Sequence, residues 1–143
     1  MNLEAKVPYF MEKEVKSDWD ISGIIGFTGE ARGAVVISMK QKMAVQITAA
    51  LTGTEHQTVD DDVVDAVGEL INIIAGNVKQ GLEDAFRLII SLPTIVHGKD
   101  HALVWPDNRA RIICIPFATS DLDSFTLSIA LEAVRSDSPR GLY

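Results

Sequence analysis

The sequence contains a single cysteine, Cys114, so an internal disulfide is excluded. A lone cysteine is usual in a reducing compartment, and we expect a cytoplasmic protein. No run of apolar residues is long enough to cross a bilayer, so no membrane-spanning helix is predicted. The N-terminal residues mix acidic and basic side chains and lack the apolar core of a secretory signal.

Positive charge is also scarce, with 13 Lys and Arg against 20 Asp and Glu and a net charge of -7. This balance argues against binding to a nucleic-acid backbone and favours a soluble protein whose partner carries basic groups. The glycine-rich phosphate loops of NTPases and dinucleotide-binding enzymes are absent, as is the G-x-S-x-G motif of serine hydrolases.

The remaining composition, 47% apolar and 23% charged, is that of an ordinary globular protein. A chain of 143 residues can bury a core, and we predict one domain over 1–143. Within it, residues 1–18 form an atypical N-terminal segment of strand or loop, and residues 136–143 form a frayed tail.

Hydrophobic periodicity predicts an α+β fold in which helices pack on an antiparallel sheet, in the order β-β-α-α-β-β-β(-β). Residues 19–28 and 31–39 form a hairpin with a turn at Gly29 and Glu30. Residues 40–51 form an amphipathic helix capped by Gly53, and a second helix runs from Asp60 to about residue 90 and is stopped by Pro93. Further strand-like runs cover 94–98, 102–105, 109–117 and 124–134.

Three consecutive carboxylates, Asp60, Asp61 and Asp62, open the second helix. Carboxylates at this position accept hydrogen bonds from free N–H groups and oppose the helix dipole. The alternative is an acidic metal site, which needs further ligands from elsewhere in the chain.

Polar residues form a line along the second helix: Asp65, Glu69, Asn72 and Gly76, here called the polar stripe. They follow helical spacing, and Glu69 and Asn72 are i, i+3 neighbours that can act on one small object. An ordinary solvated helix face is the simpler interpretation. Asparagine and glycine both disfavour a helix interior, however, which favours a surface for close docking. The opposite arc is apolar and should face the sheet: Val63, Val67, Leu70, Ile71, Ile74 and Val78.

The spacing Asp65-x3-Glu69-x2-Asn72, followed after 20 residues by Pro93, resembles the signature of the CheC/CheX/FliY phosphatases. The flanking segments DAVGELINIIAGNVKQGL and GIIGFTGEARGAVVIS are similar to the CheX branch in particular. The resemblance implies an α/β fold of long helices on an antiparallel sheet, and a homodimer. It also implies a phosphatase for a phosphorylated CheY-like response regulator. CheX-like chains usually begin with a further amphipathic helix, and residues 1–18 lack its apolar spacing.

The chemistry of such a reaction suggests separate roles for the two central residues. The regulator supplies Mg²⁺ and a lysine, so we expect no cofactor bound by this chain, and the remaining task is to orient a water. The Asn72 carboxamide both accepts and donates hydrogen bonds, and we predict that it positions this water. Glu69 is predicted to pair with the regulator's lysine, because a carboxylate beside a phosphoryl group is otherwise repelled.

The sequence leaves more than one role open for the neighbouring positions. Asp65 and Lys79 either contact the regulator or are solvated charges, and Gly76 allows close approach. Two further hypotheses remain open. One is a non-catalytic module that binds a regulator or flagellar partner, and the other is a dimeric structural domain whose polar stripe is only surface.

Other chemistry-bearing residues favour structural roles. His97 and His101 are four apart, but Gly98 and Asp100 indicate a turn between strands, so a helical metal-binding pair is not predicted. His56 lies in a polar loop with no evident partner. Cys114 lies in an apolar strand and is interpreted as a buried small hydrophobe, not as a nucleophile.

Overall fold

Strands and helices follow one another much as the periodicity predicts. A computed structural model describes residues 2–10, 18–101, 111–121 and 123–134. The helices in this part of the chain are α1, Gln41–Thr52, and α2, Asp61–Leu82. The predicted strand over 102–105 and the predicted tail over 136–143 lie outside the described residues. The described strands are β1 Glu4–Ala5, β2 Tyr9–Phe10, β3 Trp19–Gly29, β4 Ala31–Met39, β5 Leu88–Ile90, β6 Thr94–His101, β7 Ile112–Ala118 and β8 Ser124–Ala133.

The strands pair antiparallel in one sheet, in the order β1-β7-β8-β4-β3-β5. Two further pairings complete it, β2 with β7 and β6 with β3. The predicted hairpin of β3 and β4 forms with Gly29 at its end in a left-handed conformation, φ 109°. A Cβ on Gly29 would lie 2.5 Å from the carbonyl oxygen of Arg87, so this position requires glycine. The predicted α+β fold with an antiparallel sheet is confirmed.

Helix α2 packs on β3, β4, β5 and β6 and buries the predicted apolar arc. Val63, Val67 and Ile71 are fully buried, and the remaining members of the arc are partly buried against the same core. Close approach depends on Gly23 of β3, where a Cβ would lie 3.3 Å from the side chains of Ile37, Ile71 and Ile95. The strand side of the core consists of alternate residues of β3, β4 and β8: Ile21, Ile25, Phe27, Val35, Ile37, Met39, Phe125 and Leu127.

The shorter helix α1 packs beside α2 and ends at Gly53, as predicted. Gly53 has a φ of 74°, and its N–H donates to the carbonyl of Ala49, which is the usual glycine C-cap. Among the apolar residues of this helix, Met43 and Ile47 are buried, whereas Leu51 is exposed.

The predicted end of the second helix is wrong, and so is the role given to Pro93. Helix α2 ends at Leu82, eleven positions before this proline. The apolar residues that follow also fit helical spacing, but Leu88 and Ile90 belong to β5 and pair with the end of β3. The ladder to β3 decides the structure here, because its hydrogen bonds come from residues distant in sequence. Pro93 lies in the connection between β5 and β6.

Residues 2–10, the part of the N-terminal segment before the gap in the described chain, form two short strands and loops, as predicted for a strand or loop. Strands β1 and β2 run antiparallel along the outer edge of β7, with Glu4 opposite Ala118 and Tyr9 opposite Cys114. Arg111 lies over the ring of Phe10, 4.8 Å from its centroid, and adds a cation–π contact at this edge. Burial and the neighbouring Cys114 raise the pKa of Tyr9.

Candidate active site on helix α2

The polar stripe lies on the outer surface of α2, opposite the buried arc. Asp65, Glu69 and Asn72 are exposed, and Gly76 and Lys79 are half-buried. Neighbours at i, i+3 on a helix have Cβ atoms about 5–6 Å apart, so Glu69 and Asn72 can contact one small group together. Helix α2 therefore brings together the five predicted site residues other than Pro93.

The polar side chains of this surface form no hydrogen bond or ion pair with another described residue. This holds for Asp65, Glu69, Asn72 and Lys79, although each carries strong donors or acceptors. With Asp61 and Asp62 exposed in the first turn, the first half of α2 presents a negative surface to solvent. Such groups are available to a docking partner without first breaking contacts within the protein.

Gly76 has no structural reason to be glycine. It lies inside α2 with helical geometry, and a Cβ there would meet nothing within 4 Å. Glycine in a helix interior destabilises by up to about 1 kcal/mol relative to alanine, so the fold itself would favour alanine. The absence of a side chain is useful only to something that approaches the helix from outside.

Strand β6, which follows Pro93, packs beside helix α2. Beside α2, Gly68 faces Ile95 on β6, and a Cβ on Gly68 would lie 3.8 Å from the end of that side chain. The end of α2 at Leu82 is joined to Leu88 by a short connection, whereas Gly68, earlier in the helix, faces Ile95, so β5 and β6 run opposite to the helix. The four residues from Gly68 to Asn72 advance about 6 Å along the helix axis, and two residues of a strand advance about the same distance. By this estimate Asn72 and the start of β6 are at about the same level along the axis of α2.

The acidic start of α2 is used as a helix cap. Asp60 Oδ1 accepts from the N–H of Val63 at 3.0 Å, and Asp60 Oδ2 lies 2.6 Å from His56 Nδ1. The Val63 hydrogen bond, followed by that of His56, lowers the pKa of Asp60. The prediction that His56 has no partner is wrong, because the loop folds back onto the cap.

Three side chains that could bind a metal ion lie close together at this cap. Ligand atoms of His56, Asp60 and Asp62 lie within 4.8 Å of one another. Both Asp60 oxygens already have partners within the protein, however, and Asp62 is an exposed carboxylate of the first turn. Helix capping accounts for the arrangement without a ligand.

The two histidines considered in the sequence analysis, His97 and His101, both lie on β6. The predicted turn at Gly98 and Asp100 is wrong, because β6 continues through both to His101. His101 Nδ1 donates to the carbonyl of Gly98 at 2.6 Å, and its Nε2 lies 2.8 Å from the hydroxyl of the buried Ser22. His97 is exposed on the same strand.

Cys114 is buried in β7, as predicted, with 1% of its surface exposed. Its Sγ lies 3.5 Å from the hydroxyl of Ser128 on the neighbouring strand. A thiol enclosed in this way is poorly accessible to a substrate, which agrees with a packing role.

Comparison with known proteins assigns the chain to a family. The family model described as chemotaxis phosphatase CheX matches residues 21–118, more than half of the chain. The chain belongs to the CheX family. The match includes the whole of α2 and extends through Pro93. Within the described residues, no helix is long and apolar enough to cross a membrane.

Individual CheX relatives agree in sequence and structure. The CheY-P phosphatase CheX of Thermotoga maritima is 27% identical over 112 residues, which cover 77% of this chain and 70% of that protein. Chemotaxis protein CheX from Vibrio vulnificus superposes with a TM-score of 0.82 at 28% identity, covering 92% of this chain and 87% of that one. CheX of Borrelia burgdorferi, solved as a complex with CheY, BeF3 and Mg²⁺, gives 0.78 at 26% identity, with coverage of 92% and 84%. The predicted enzyme class, a phosphatase, is that of this family.

Proposed function

We propose that this protein hydrolyses the aspartyl phosphate of a phosphorylated CheY-like response regulator. Membership of the CheX family supports this proposal, as do a relative named as a CheY-P phosphatase and a relative in complex with CheY. The observation that carries it for this chain is the exposed pair of Glu69 and Asn72, one helical turn apart and without partners among the described residues.

In this proposal Asn72 positions the attacking water. An acyl phosphate has a good leaving group, and the regulator brings Mg²⁺ and a lysine that stabilise the spreading charge. This chain then needs to supply only a group that holds water in line with the phosphorus. The carboxamide oxygen of Asn72 accepts from water while its NH₂ group donates, and no proton has to be taken up. No cofactor bound by this chain is required.

Glu69 serves docking in the same proposal. Its carboxylate, exposed one turn before Asn72, pairs with the lysine of the regulator's active site. This contact would hold the lysine and fix α2 against the regulator. Asp65 and Lys79 lie along the same surface as flanking contacts, and Gly76 lets the partner's backbone approach the helix.

The test of the chemical role is the rate of phosphate loss from a phosphorylated regulator. We expect Asn72→Ala to lower kcat by roughly 100-fold, with a thermal midpoint close to wild type because the side chain is exposed. Asn77→Ala is the matched control, since Asn77 is exposed on the same helix but lies outside the polar stripe. Full activity of Asn72→Ala would refute the water-positioning role, and a wild type without acceleration would refute the phosphatase.

Binding affinity tests the docking role of Glu69. Glu69→Lys places a cation against the regulator's lysine, so we expect the Kd for the regulator to rise by tenfold or more. Glu55→Lys makes the same change in net charge at an exposed position in the loop before α2, off the polar stripe, and should leave the Kd within about twofold. Equal Kd values for the two variants would contradict the pairing with lysine.

We also propose that the protein is a homodimer, as the resemblance to CheX implies. The monomer mass is 15.6 kDa, so light scattering of the purified protein should give twice this value. A mass of one chain at micromolar concentration would refute the dimer without affecting the proposed reaction.

A further inference from the structure

One large apolar side chain of α2, that of Ile73, is left outside the core. Its exposure is 49%, and it belongs neither to the buried cluster nor to the partly buried residues that pack against this cluster. Every other valine, leucine and isoleucine of the helix is in one of these two groups. A single exposed isoleucine is common and needs no explanation by itself. This one, however, lies directly beside the polar stripe.

Helix geometry places Ile73 against three members of the stripe. It follows Asn72 directly, four residues after Glu69 and three residues before Gly76. Residues three or four apart on a helix have Cβ atoms about 5–6 Å apart, so Ile73 borders both Glu69 and Gly76. Its side chain leans toward the start of the helix, as long side chains in helices do, and so extends along Glu69. The polar stripe and Ile73 therefore form one continuous exposed surface.

The fold gives no reason for isoleucine at this position. A β-branched residue is a poorer helix former than alanine, and a side chain that is half exposed recovers little of that loss through burial. Gly76, the next residue along this surface, likewise has no structural reason to be glycine. Two neighbouring positions thus carry residues that the helix itself does not favour. Both are explained if a partner packs closely against this side of α2.

We propose that Ile73 is the apolar centre of the docking surface for the phosphorylated regulator. The proposal rests on the proposed function, and it names a residue that takes no part in the chemistry. A specific interface buries about 800 Å² on each partner, a patch about 30 Å across. A regulator that contacts both Glu69 and Asn72 therefore also covers Ile73, which borders them. Burial of Ile73 supplies binding, while the polar groups around it fix the orientation.

Three variants of Ile73 test this role by binding and by kinetics. Ile73→Ala and Ile73→Gln should raise the Kd for the regulator activated with BeF3 and Mg²⁺, and the KM for the phosphorylated regulator, roughly tenfold. The kcat should stay within about twofold of wild type, because Asn72 is unchanged. Ile73→Leu keeps an apolar side chain of the same size and should restore wild-type values. All three should keep a thermal midpoint close to wild type, since Ile73 lies outside the core.

Ile113→Ala is the matched control. Ile113 has a similar exposure, 41%, but it lies on β7, which β8 separates from the strands on which α2 packs. We expect its Kd and KM to match wild type. Wild-type binding by Ile73→Ala, an equal loss with Ile113→Ala, or a fall confined to kcat would overturn the role of Ile73.

Failure of the proposed function would be recognised separately. A wild-type protein that binds the activated regulator but does not accelerate phosphate loss would refute the phosphatase alone, because the Kd values would still show whether Ile73 docks. A wild-type protein that neither binds nor accelerates would overturn both proposals.

Discussion

Replacing Gly76 with alanine should make the protein more stable but raise its KM for the phosphorylated regulator. Gly76 lies inside α2, where a Cβ would meet no atom within 4 Å. Alanine therefore adds no clash and removes the unfavourable helix propensity of glycine, a gain of about 1 kcal/mol. With an unfolding entropy of about 2.1 cal/mol/K per residue, that gain raises the Tm of a 143-residue chain by about 3 °C.

The same methyl group should weaken interaction with the regulator if the polar stripe docks closely. Introducing a methyl into a closely packed contact disfavours it by about 1–3 kcal/mol, which corresponds to roughly a tenfold rise in KM or more. Calorimetry gives the Tm, and phosphate release at several regulator concentrations gives KM and kcat for the same preparation.

Gly81→Ala is the matched control for this variant. Gly81 is exposed in the last turn of α2, also with open space around its Cβ, but it lies outside the polar stripe. We expect a smaller rise in Tm and unchanged kinetics. A Gly76→Ala variant that is more stable and fully active would refute close docking at this glycine, and one that is less stable would refute the open space on which the magnitude depends.

Two further predictions concern how α2 is held. The pKa of Asp60 is lowered first by the Val63 N–H and then by His56. Its carboxylate therefore stabilises the fold at pH values above 3.8, the ordinary pKa, and this stabilisation is lost as the pH falls through the lowered pKa. The Tm difference between wild type and Asp60→Asn should therefore shrink on acidification, and a constant difference would contradict this linkage. Gly23→Ala should destabilise by about 1–3 kcal/mol in urea titrations, because its Cβ would lie 3.3 Å from Ile71 of α2; an unchanged midpoint would show that the helix can shift without loss.

The hairpin, both helices and the polar stripe were predictable because their signals are local. Alternation of apolar residues marks β3 and β4, and helical spacing separates the buried arc of α2 from the line of Asp65, Glu69, Asn72 and Gly76. Glycine at 53 and aspartate at 60 mark helix ends through hydrogen bonds that span only a few residues.

The path after α2 was decided by tertiary structure. Residues 83–90 fit a helix as well as a strand, and only the free edge of β3 makes β5 the better solution. For the same reason sequence alone misplaced Pro93 at a helix end. The sequence predicts neither the hydrogen bonds of Ser91 to Gly26 nor the exposure of Leu92, because all it shows at this place is an apolar residue before a proline.

The sequence by itself determined that Glu69 and Asn72 share one side of a helix, since that follows from 3.6 residues per turn. It could not determine whether their side chains were already engaged by another part of the chain. Tertiary structure decided this point by burying the opposite arc and leaving the pair exposed, without partners among the described residues. It also placed β5 and β6 against α2, because strand pairing brings together residues that are distant along the chain.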